Sequence, residues 1–492
     1  MSRWNRPKDK RTSQAKYWKK RAAKYRNKDH LRSMLDWLLP DDLIFSKIKF
    51  HGNSKWLPKY LVCLALLWAW TESKNVTDAF PQALKCYESM FHRFVPTTYQ
   101  GFMNALGKWT APLMNVLWPI LHERMEEIGG TFWRTNEWVA IAFDGSRSTA
   151  PRSIANEHAF CAKNFGKGKT AKYRKKKSKG MRRKKNEKNK PHPQEPQVWI
   201  TMLWHVGLRL PWMWRLGPSN SSERAHVMEM LCNAIFPLNT LFCGDAGFVG
   251  YPLWSTIVDQ GHHFLVRVGA NVSLLKETAE YELGKNGMVL CWPKGMQSKQ
   301  RPLRLRLVKV RIGKTTMYLL TSVLDPQQLT VKQMIGFYKM RWGIEVEFRG
   351  LKQTLDRSKL RCRNDQRLLA ELNWSIMAMG VVELFALKEQ LTKRAKHSDK
   401  NPTTAPEKRS LANATRAFRY CMRHNNEVPE TGKDLPTLLR EAITDSYERK
   451  RPKSARYRPP NPDKKPLGKP KVRKITAKEK KKLRDVEGKI AV

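Results

Sequence analysis

Several classes of protein are excluded by what this sequence of 492 residues has little of. Its eight cysteines include no Cys-x-x-Cys pair, so we expect reduced core thiols and no zinc site. The longest uncharged apolar stretch in the N-terminal part, Leu61–Trp70, is shorter than the roughly 20 residues that span a bilayer. No apolar segment follows the basic opening residues, so no signal peptide is indicated. We therefore expect a soluble, cytoplasmic protein without a membrane partner.

Acidic residues are scarce relative to basic ones. Lys and Arg number 94 against 43 Asp and Glu, which gives a net charge of +51. A charge of this sign and size is typical of proteins that bind nucleic acid, and it favours association with the nucleoid. The aromatic content of 10%, with 18 tryptophans, still provides enough apolar mass for a sizeable core.

One predicted helix places an acid among groups that can hold phosphate. At about 100° per residue, four of its polar side chains fall within an arc of about 60°, and Glu347 points to the opposite side. The four are Tyr338, Arg341, Glu345 and Lys352. An apolar stripe beside them would bury the helix against a core, so the pattern indicates a rigidly mounted catalytic acid. A solvated, salt-bridged surface is the alternative for any helix of this composition.

Two further acids follow short apolar runs. Asp144 comes after the run 139–143 and precedes a glycine, and Asp245 comes after the run 241–244. A strand that delivers an Asp at its C-terminal tip suits metal binding, although Asp-Gly after a strand is also an ordinary hairpin turn. Either acid alone is a weak signal.

The order of the elements links these acids. The pattern predicts strands at 139–143, near 197–204 and 207–215, a helix from residue 221, a strand at 239–244, a helix near 251–260, a strand at 263–269 and a helix at 329–356. Three strands followed by helix, strand, helix, strand and helix is the order of a ribonuclease H-like α/β core. In that topology the tips of the first and fourth strands lie side by side, so Asp144 and Asp245 would share metal with Glu345.

These residues resemble a known family, the DDE transposases of bacterial insertion sequences, and specifically the insertion-sequence-4 group. Its signature Tyr-x2-Arg-x3-Glu-x6-Lys is matched without a gap by Tyr338, Arg341, Glu345 and Lys352, and the resemblance spans roughly residues 138–356. It implies that Asp144, Asp245 and Glu345 are the catalytic metal ligands. It also implies that Tyr338, Arg341 and Lys352 bind DNA phosphates.

The function implied by the resemblance is that of a metal-dependent DNA transposase. Such an enzyme would cut transposon ends and join them to target DNA by phosphodiester hydrolysis and transesterification, with two Mg²⁺ or Mn²⁺ ions roughly 4 Å apart. Its partners would be double-stranded DNA, as terminal inverted repeats and target, and a second copy of the chain in a synaptic homodimer. Two alternatives stay open: a catalytically idle, domesticated DNA-binding protein, and a metal-dependent ribonuclease H-like nuclease.

Composition divides the chain into five parts. A basic arm at 1–30 precedes a helical part at 31–135, which in the family binds the terminal repeats. A catalytic domain at 136–395 contains a basic insert at 163–193 and a β-rich insertion at 270–328. A small helical region at 396–448 and a basic tail without a core pattern at 449–492 complete the chain. The arm, insert and tail are expected either to track DNA backbone or only to be solvated.

Within the β-rich insertion, Trp292 is a candidate for an aromatic side chain that receives a flipped base, a role that the resemblance implies for this region. Only its location supports that role. The alternative is a core tryptophan, which is the more frequent use of Trp in a strand-rich module.

Overall fold

The structure is a computed structural model, and it describes Lys16 and residues 25–48, 50, 56–94, 97–161, 195–276, 287–297, 300–313, 315–391, 405–429, 433–444 and 467–488. The predicted basic insert at 163–193 lies outside these residues. Most of the basic arm and residues 449–466 of the tail lie outside them as well.

Within the described residues, four helices precede the sheet, as the composition of 31–135 predicts. They are α1 (Asn27–Leu38), α2 (Pro58–Trp70), α3 (Val76–Phe91) and α4 (Tyr99–Gly129). Proline at the first position of α2 suits a helix start, because its missing N–H would have no partner there. The side chain of Thr98 caps α4 by accepting a hydrogen bond from the Gly101 N–H at 3.1 Å.

A ten-stranded sheet forms the centre of the molecule. Its strands are β1 (Val139–Thr149), β2 (Gln197–His205), β3 (Leu210–Gly217), β4 (Thr240–Gly244), β5 (His263–Val268), β6 (Ser273–Lys276), β7 (Gly287–Cys291), β8 (Leu303–Ile312), β9 (Thr315–Thr321) and β10 (Lys471–Lys474). Their order across the sheet is β10-β6-β7-β8-β9-β5-β4-β1-β2-β3. The fold class is therefore mixed α/β.

The predicted order of strands and helices is found around β1 to β5. A short helix α5 (Ile154–Phe160) follows β1, and the helices α6 (Glu223–Asn233) and α7 (Tyr251–Asp259) flank β4. β1 pairs in parallel with β4, and β4 with β5, whereas β1, β2 and β3 pair antiparallel. One expectation about β1 is wrong: it continues through Asp144 to Thr149, because these residues pair with β2, so Asp144–Gly145 is not a hairpin turn.

The β-rich insertion continues the central sheet. β9 pairs antiparallel with β5, and β8, β7 and β6 extend the sheet outward from it. The expectation of a tail without a core pattern is wrong for residues 467–488. There β10 pairs in parallel with β6, and the helix α13 (Ala477–Gly488) follows it. Ile475 and Leu483 share a small apolar cluster with three insertion residues, Leu275, Leu290 and Trp292.

The helix predicted at 329–356 is divided in two. It comprises α8 (Val331–Met340) and α9 (Gly343–Gln353), with Arg341 and Trp342 forming a turn between them. The predicted apolar stripe is buried along both helices and just beyond the end of α9. It consists of Phe337, Ile344, Phe348, Leu351 and Leu355.

The helix α10 (Asp365–Leu391) lies at the centre of the helical layer. By length and composition alone it could cross a membrane, yet 89% of its most apolar window is buried inside the protein, as in a core helix. α4, α2 and β3 pack against it, and so do α11 (Leu411–Arg423) and α12 (Leu435–Arg440). One continuous hydrophobic cluster joins residues of these helices and of the sheet.

Candidate active site

The site lies in the sheet beside β1. β4 stops pairing with β1 there while β1 continues, and we call the resulting gap the notch. The parallel register of β1 and β4 ends at Ala142 and Cys243, while β1 continues. Asp144 therefore lies two residues beyond the last pair on β1, and Asp245 lies two residues beyond it on β4. The structure thus brings the two predicted aspartates to the same edge.

Arg341 forms an ion pair with the first of these acids. Its Nη1 lies 3.9 Å from Asp144 Oδ2, and the guanidinium packs over the rings of Tyr338 and Trp342. The Arg341 side chain is 3% exposed, and its Nε has no partner among the described residues. The turn between α8 and α9 thus directs a nearly buried cation at β1.

Lys352 approaches the same strand from α9. Its ammonium donates a hydrogen bond to Ser146 Oγ at 2.7 Å, and Ser146 lies two residues after Asp144 on β1. Side chains two apart on a strand share a face. Arg341 and Lys352 therefore contact one face of β1, whereas Tyr338 is buried and contacts Arg341 instead of solvent.

The other two predicted acids act electrostatically on Asp144. Burial raises the pKa of Asp144 to about 6, against the lowering effects of the Gly145 N–H and Arg341, and the charges of Asp245 and Glu345 raise it further. The Gly145 N–H donates to Asp144 Oδ1 at 2.8 Å. Glu345 itself is exposed on α9. Asp245 is held by the Gly247 N–H, which donates to its Oδ1 at 2.7 Å.

Glu347, two residues after Glu345, is buried on the other side of α9. Burial raises its pKa well above the usual range, the neighbouring Glu383 raises it further, and Arg409 lowers it. Arg409 donates to Glu383 at 3.3 Å. Glu347 thus belongs to a buried polar group behind the site, consistent with its predicted orientation.

A fourth acid, Glu223, lies at the notch. The sequence patterns did not identify it as a site residue. Glu223 begins α6, and its Oε1 lies 2.0 Å from the point where a Cβ on Gly145 would stand. Burial raises the pKa of Glu223 to about 7, with Asp144 and Asp245 adding to the rise and Arg147 opposing it. The only signal in the sequence is an acid in the first turn of the helix that follows β3.

Trp292 lies far from solvent. It is 3% exposed, its Nε1 donates to the Gln300 carbonyl at 2.7 Å, and it packs in the cluster shared with Leu483. This favours the core alternative over a base-receiving side chain in the present conformation, and the DNA-binding role stays a prediction.

The donor set at the notch suits a hard divalent cation in kind. Asp144, Asp245 and Glu345 offer only oxygen ligands, which Mg²⁺ and Mn²⁺ prefer. Within the described residues, no group of three Asp, Glu, His or Cys converges closely enough to ligate one ion. The mutual repulsion of the acids around Asp144 is nevertheless what a bound cation would relieve.

Residues 139–380, from the start of β1 into α10, match the family described as transposase DDE domain. This segment, just under half of the chain, is thus similar to a transposase DDE domain. The domain contains all seven site residues that the sequence predicts. The match supports the resemblance drawn from the sequence motifs, and the roles of the seven residues stay predictions.

A curated relative matches part of the same chain. It is the transposase InsG for insertion sequence element IS4 of Escherichia coli (strain K12), 28% identical over 174 residues. The match covers 32% of this chain and spans only 36% of that relative.

One solved structure is also similar, the cryo-EM structure of the piggyBac transposase synaptic complex with hairpin DNA. It aligns with 86% of this chain and 86% of its own, at 12% identity and a TM-score of 0.38. Similarity at this level carries no conclusion about fold or function.

Proposed function

We propose that this protein is a DNA transposase that cuts the ends of its insertion sequence and joins them to target DNA. The observation that carries the proposal is the notch, where Asp144 and Asp245 meet at one edge with α9 and Arg341 across from them. The match of residues 139–380 to a transposase DDE domain supports it.

The β1 to β5 part of the sheet supports a ribonuclease H-like catalytic core. Its strand order, β3-β2-β1-β4-β5, combines an antiparallel half with a parallel half. Acids at the junction of the halves come from different elements, so their separation is set by the sheet and by α9 packing on it.

Asp144, Asp245 and Glu345 are proposed to bind two Mg²⁺ or Mn²⁺ ions. When bound, such ions activate the attacking water or hydroxyl and stabilise the leaving oxygen of the phosphodiester. The protein supplies the orientation: the Gly145 and Gly247 N–H groups hold one carboxylate oxygen each on Asp144 and Asp245. This leaves the other oxygen of each acid for a cation.

Arg341, Lys352 and Tyr338 are proposed to position DNA phosphates. Arg341 Nε is buried without a partner among the described residues, and a buried donor without a partner costs free energy that a phosphate oxygen would relieve. Lys352 is only half-buried and holds Ser146 by one of its three donors. Tyr338 would act by supporting the Arg341 guanidinium, over which its ring packs at 5.3 Å.

The partners are proposed to be terminal inverted repeats, target DNA and a second copy of the chain in a synaptic homodimer. The net charge of +51 supports binding to a polyanion. If each subunit cleaves the end held by its partner, mixing a triad variant with an end-binding variant should restore some cleavage. Absence of any rescue would contradict this crossed arrangement.

The test of the function class uses the full chain with Mg²⁺ and a duplex that carries the ends of its own element. A transposase should cut at the element boundary and join the freed 3′ end to a second duplex. An idle DNA-binding protein would retain the duplex without cutting it. A general nuclease would degrade a scrambled duplex equally well.

A further inference from the structure

The residues at the notch and the helix α13 lie on the same face of the ten-stranded sheet. Residues opposite each other on paired strands share a face, and so do residues two apart along one strand. From Asp144 this rule leads across β4, β5, β9 and β8 to Leu290 on β7. The partners on the way are Ala142 with Cys243, Cys243 with Leu265, Leu265 with Thr321, Thr321 with Arg306, and Arg306 with Met288. Because Leu290 and Leu483 share an apolar cluster, α13 covers the face that carries Asp144.

The helix α8 covers the same face between α13 and the notch. Arg306 donates a hydrogen bond to the Leu329 carbonyl, just before α8, and its Nη2 lies 3.6 Å from Sδ of Met334 on α8. Since Arg306 shares its face with Asp144, α8 packs on that face and leads into Arg341. One layer of the protein therefore runs from α13 through α8 to the notch.

Exposed cations line this layer. At about 100° per residue, Lys480, Lys481 and Arg484 fall within an arc of about 100° on the side of α13 opposite the buried Glu479 and Leu483. Further exposed cations follow on β8 and α8. We define the basic face by six side chains: Lys480, Lys481 and Arg484 on α13, Arg304 on β8, and Lys332 and Lys339 on α8.

The basic part of α13 is fixed to the insertion. Arg473 of β10 donates to both carboxylate oxygens of Glu479, at 2.8 and 2.6 Å, and Gln297 donates to Glu479 at 3.0 Å. Glu479 is 6% exposed, so this acid faces the sheet while the cations face outward. A fixed row of positive charges is complementary to duplex DNA, which carries one negative charge per about 1.7 Å of its axis.

We propose that the basic face binds the phosphate backbone of the duplex that is cut at the notch. The proposal rests on the function proposed above and adds a DNA contact made by the C-terminal part of the chain. Five strand spacings of about 4.8 Å separate β6, under α13, from β4, whose end carries Asp245. The resulting separation of about 24 Å is the rise of about seven base pairs, so α13 should contact the duplex about that far from the scissile phosphate.

The first test measures how the affinity of the full-length protein for an end-bearing duplex depends on salt. Each lost phosphate contact lowers the slope of log affinity against log salt by about 0.9. The triple variant Lys480→Gln, Lys481→Gln and Arg484→Gln should therefore have a slope about 2 to 3 smaller than the parent. Glutamine has nearly the helix propensity of lysine and arginine, so α13 should stay folded.

A matched control removes three exposed cations from the opposite face of the sheet. Lys309 and Arg311 are an odd number of residues from Arg306 on β8, and Lys474 directly follows Arg473 on β10, so all three point away from α13. The triple variant Lys309→Gln, Lys474→Gln and Arg311→Gln should keep the parent slope. Equal slopes in the two triple variants would show that only bulk charge matters and would overturn the proposal.

Hydroxyl-radical footprinting locates the contact on the same duplex. The α13 variant should lose protection in a patch about seven base pairs from the scissile phosphate and keep protection at the cut itself. A footprint that is unchanged, or weakened evenly along its length, overturns the proposal.

Nicking of this duplex by the parent protein separates the inference from the proposed function. If the parent nicks at the element boundary while the α13 variant keeps the parent slope and footprint, the basic face is wrong and the proposed function stands. If the parent neither protects nor nicks the element's end, the proposed function is wrong, and the basic face has no duplex to bind.

Discussion

The position of α9 can be disturbed by one methyl group at its first residue. A Cβ on Gly343 would stand 2.2 Å from Cη2 of Trp204 and 3.0 Å from an Nη of Arg209. Atoms in contact lie about 3.5 to 4.0 Å apart, so relief needs a movement of more than about 1 Å. Trp204 is 1% exposed in β2, within the core, so we expect α9 to move instead.

Gly343→Ala should therefore affect both stability and catalysis. Overpacking of this kind costs about 1 to 3 kcal/mol of unfolding free energy. A shift of about 1 Å in Glu345 and Lys352 should reduce the rate of DNA nicking about a hundredfold. The measurements are urea unfolding and single-turnover nicking of a duplex bearing the element's end.

Gly336→Ala is the matched control, because a Cβ there meets nothing within 4 Å on α8. It should stabilise the protein by about 0.5 to 1 kcal/mol through higher helix propensity and leave nicking intact. If Gly343→Ala equals Gly336→Ala in both assays, the packing of α9 on β2 does not position the site.

Three further predictions test other parts of the account. Burial lowers the pKa of His205 from 6.5 to about 3, so its neutral form stabilises the fold fully above pH 6.5 and this stability is lost as pH falls. In His205→Asn, the fall in unfolding free energy between pH 7 and pH 3, measured by urea unfolding, should be smaller than in the parent by at most about 5 kcal/mol. An unchanged dependence of unfolding free energy on pH would refute this. Lys352→Ala should slow nicking while leaving the dependence of log affinity on log salt nearly unchanged, because it removes at most about one phosphate contact. Leu483→Ala should speed hydrogen exchange in β10 and β6 but not in β1, since its apolar cluster joins α13 only to the insertion; uniform protection would show that the tail is not anchored there.

The strands and helices around the site were predictable because their apolar runs are strong. Asp245 directly follows such a run and lies where it was expected, at the end of β4. β1 was predicted too short because residues 145–149 are polar or glycine, and only pairing with β2 makes them a strand. Pairing between distant segments therefore determines the length of β1, which the local sequence pattern does not predict.

The placement of the site residues likewise depends partly on local sequence and partly on contacts between distant segments. Spacing on one helix grouped Arg341, Glu345 and Lys352, although the helix breaks after Met340. Nothing in the spacing indicated the break, which orients Arg341 toward Asp144. Glu223 was invisible as a site residue because only the folded sheet places α6 against Gly145.

The composition of the tail at 467–488 does not indicate that it is folded. Lysine is the most frequent of its 22 residues, and only a few apolar side chains, among them Val472, Ile475 and Leu483, pack against the rest of the protein. A strand that pairs with β6 across nearly two hundred residues leaves no periodic signal of its own.

The acids at the notch are proposed to perform strand cleavage. The most direct measurement is cleavage of an end-bearing duplex in Mg²⁺ by Asp144→Asn, Asp245→Asn and Glu345→Gln, alongside binding of the same duplex. Each variant should lose cleavage by several orders of magnitude while keeping end binding, because a cation ligand is removed and no basic contact is lost. Glu347→Gln, in the buried group behind α9, should cleave close to the parent rate. Parent-level cleavage by any of the first three variants would remove that acid from the site, and parent-level cleavage by all three would show that these acids do not perform cleavage.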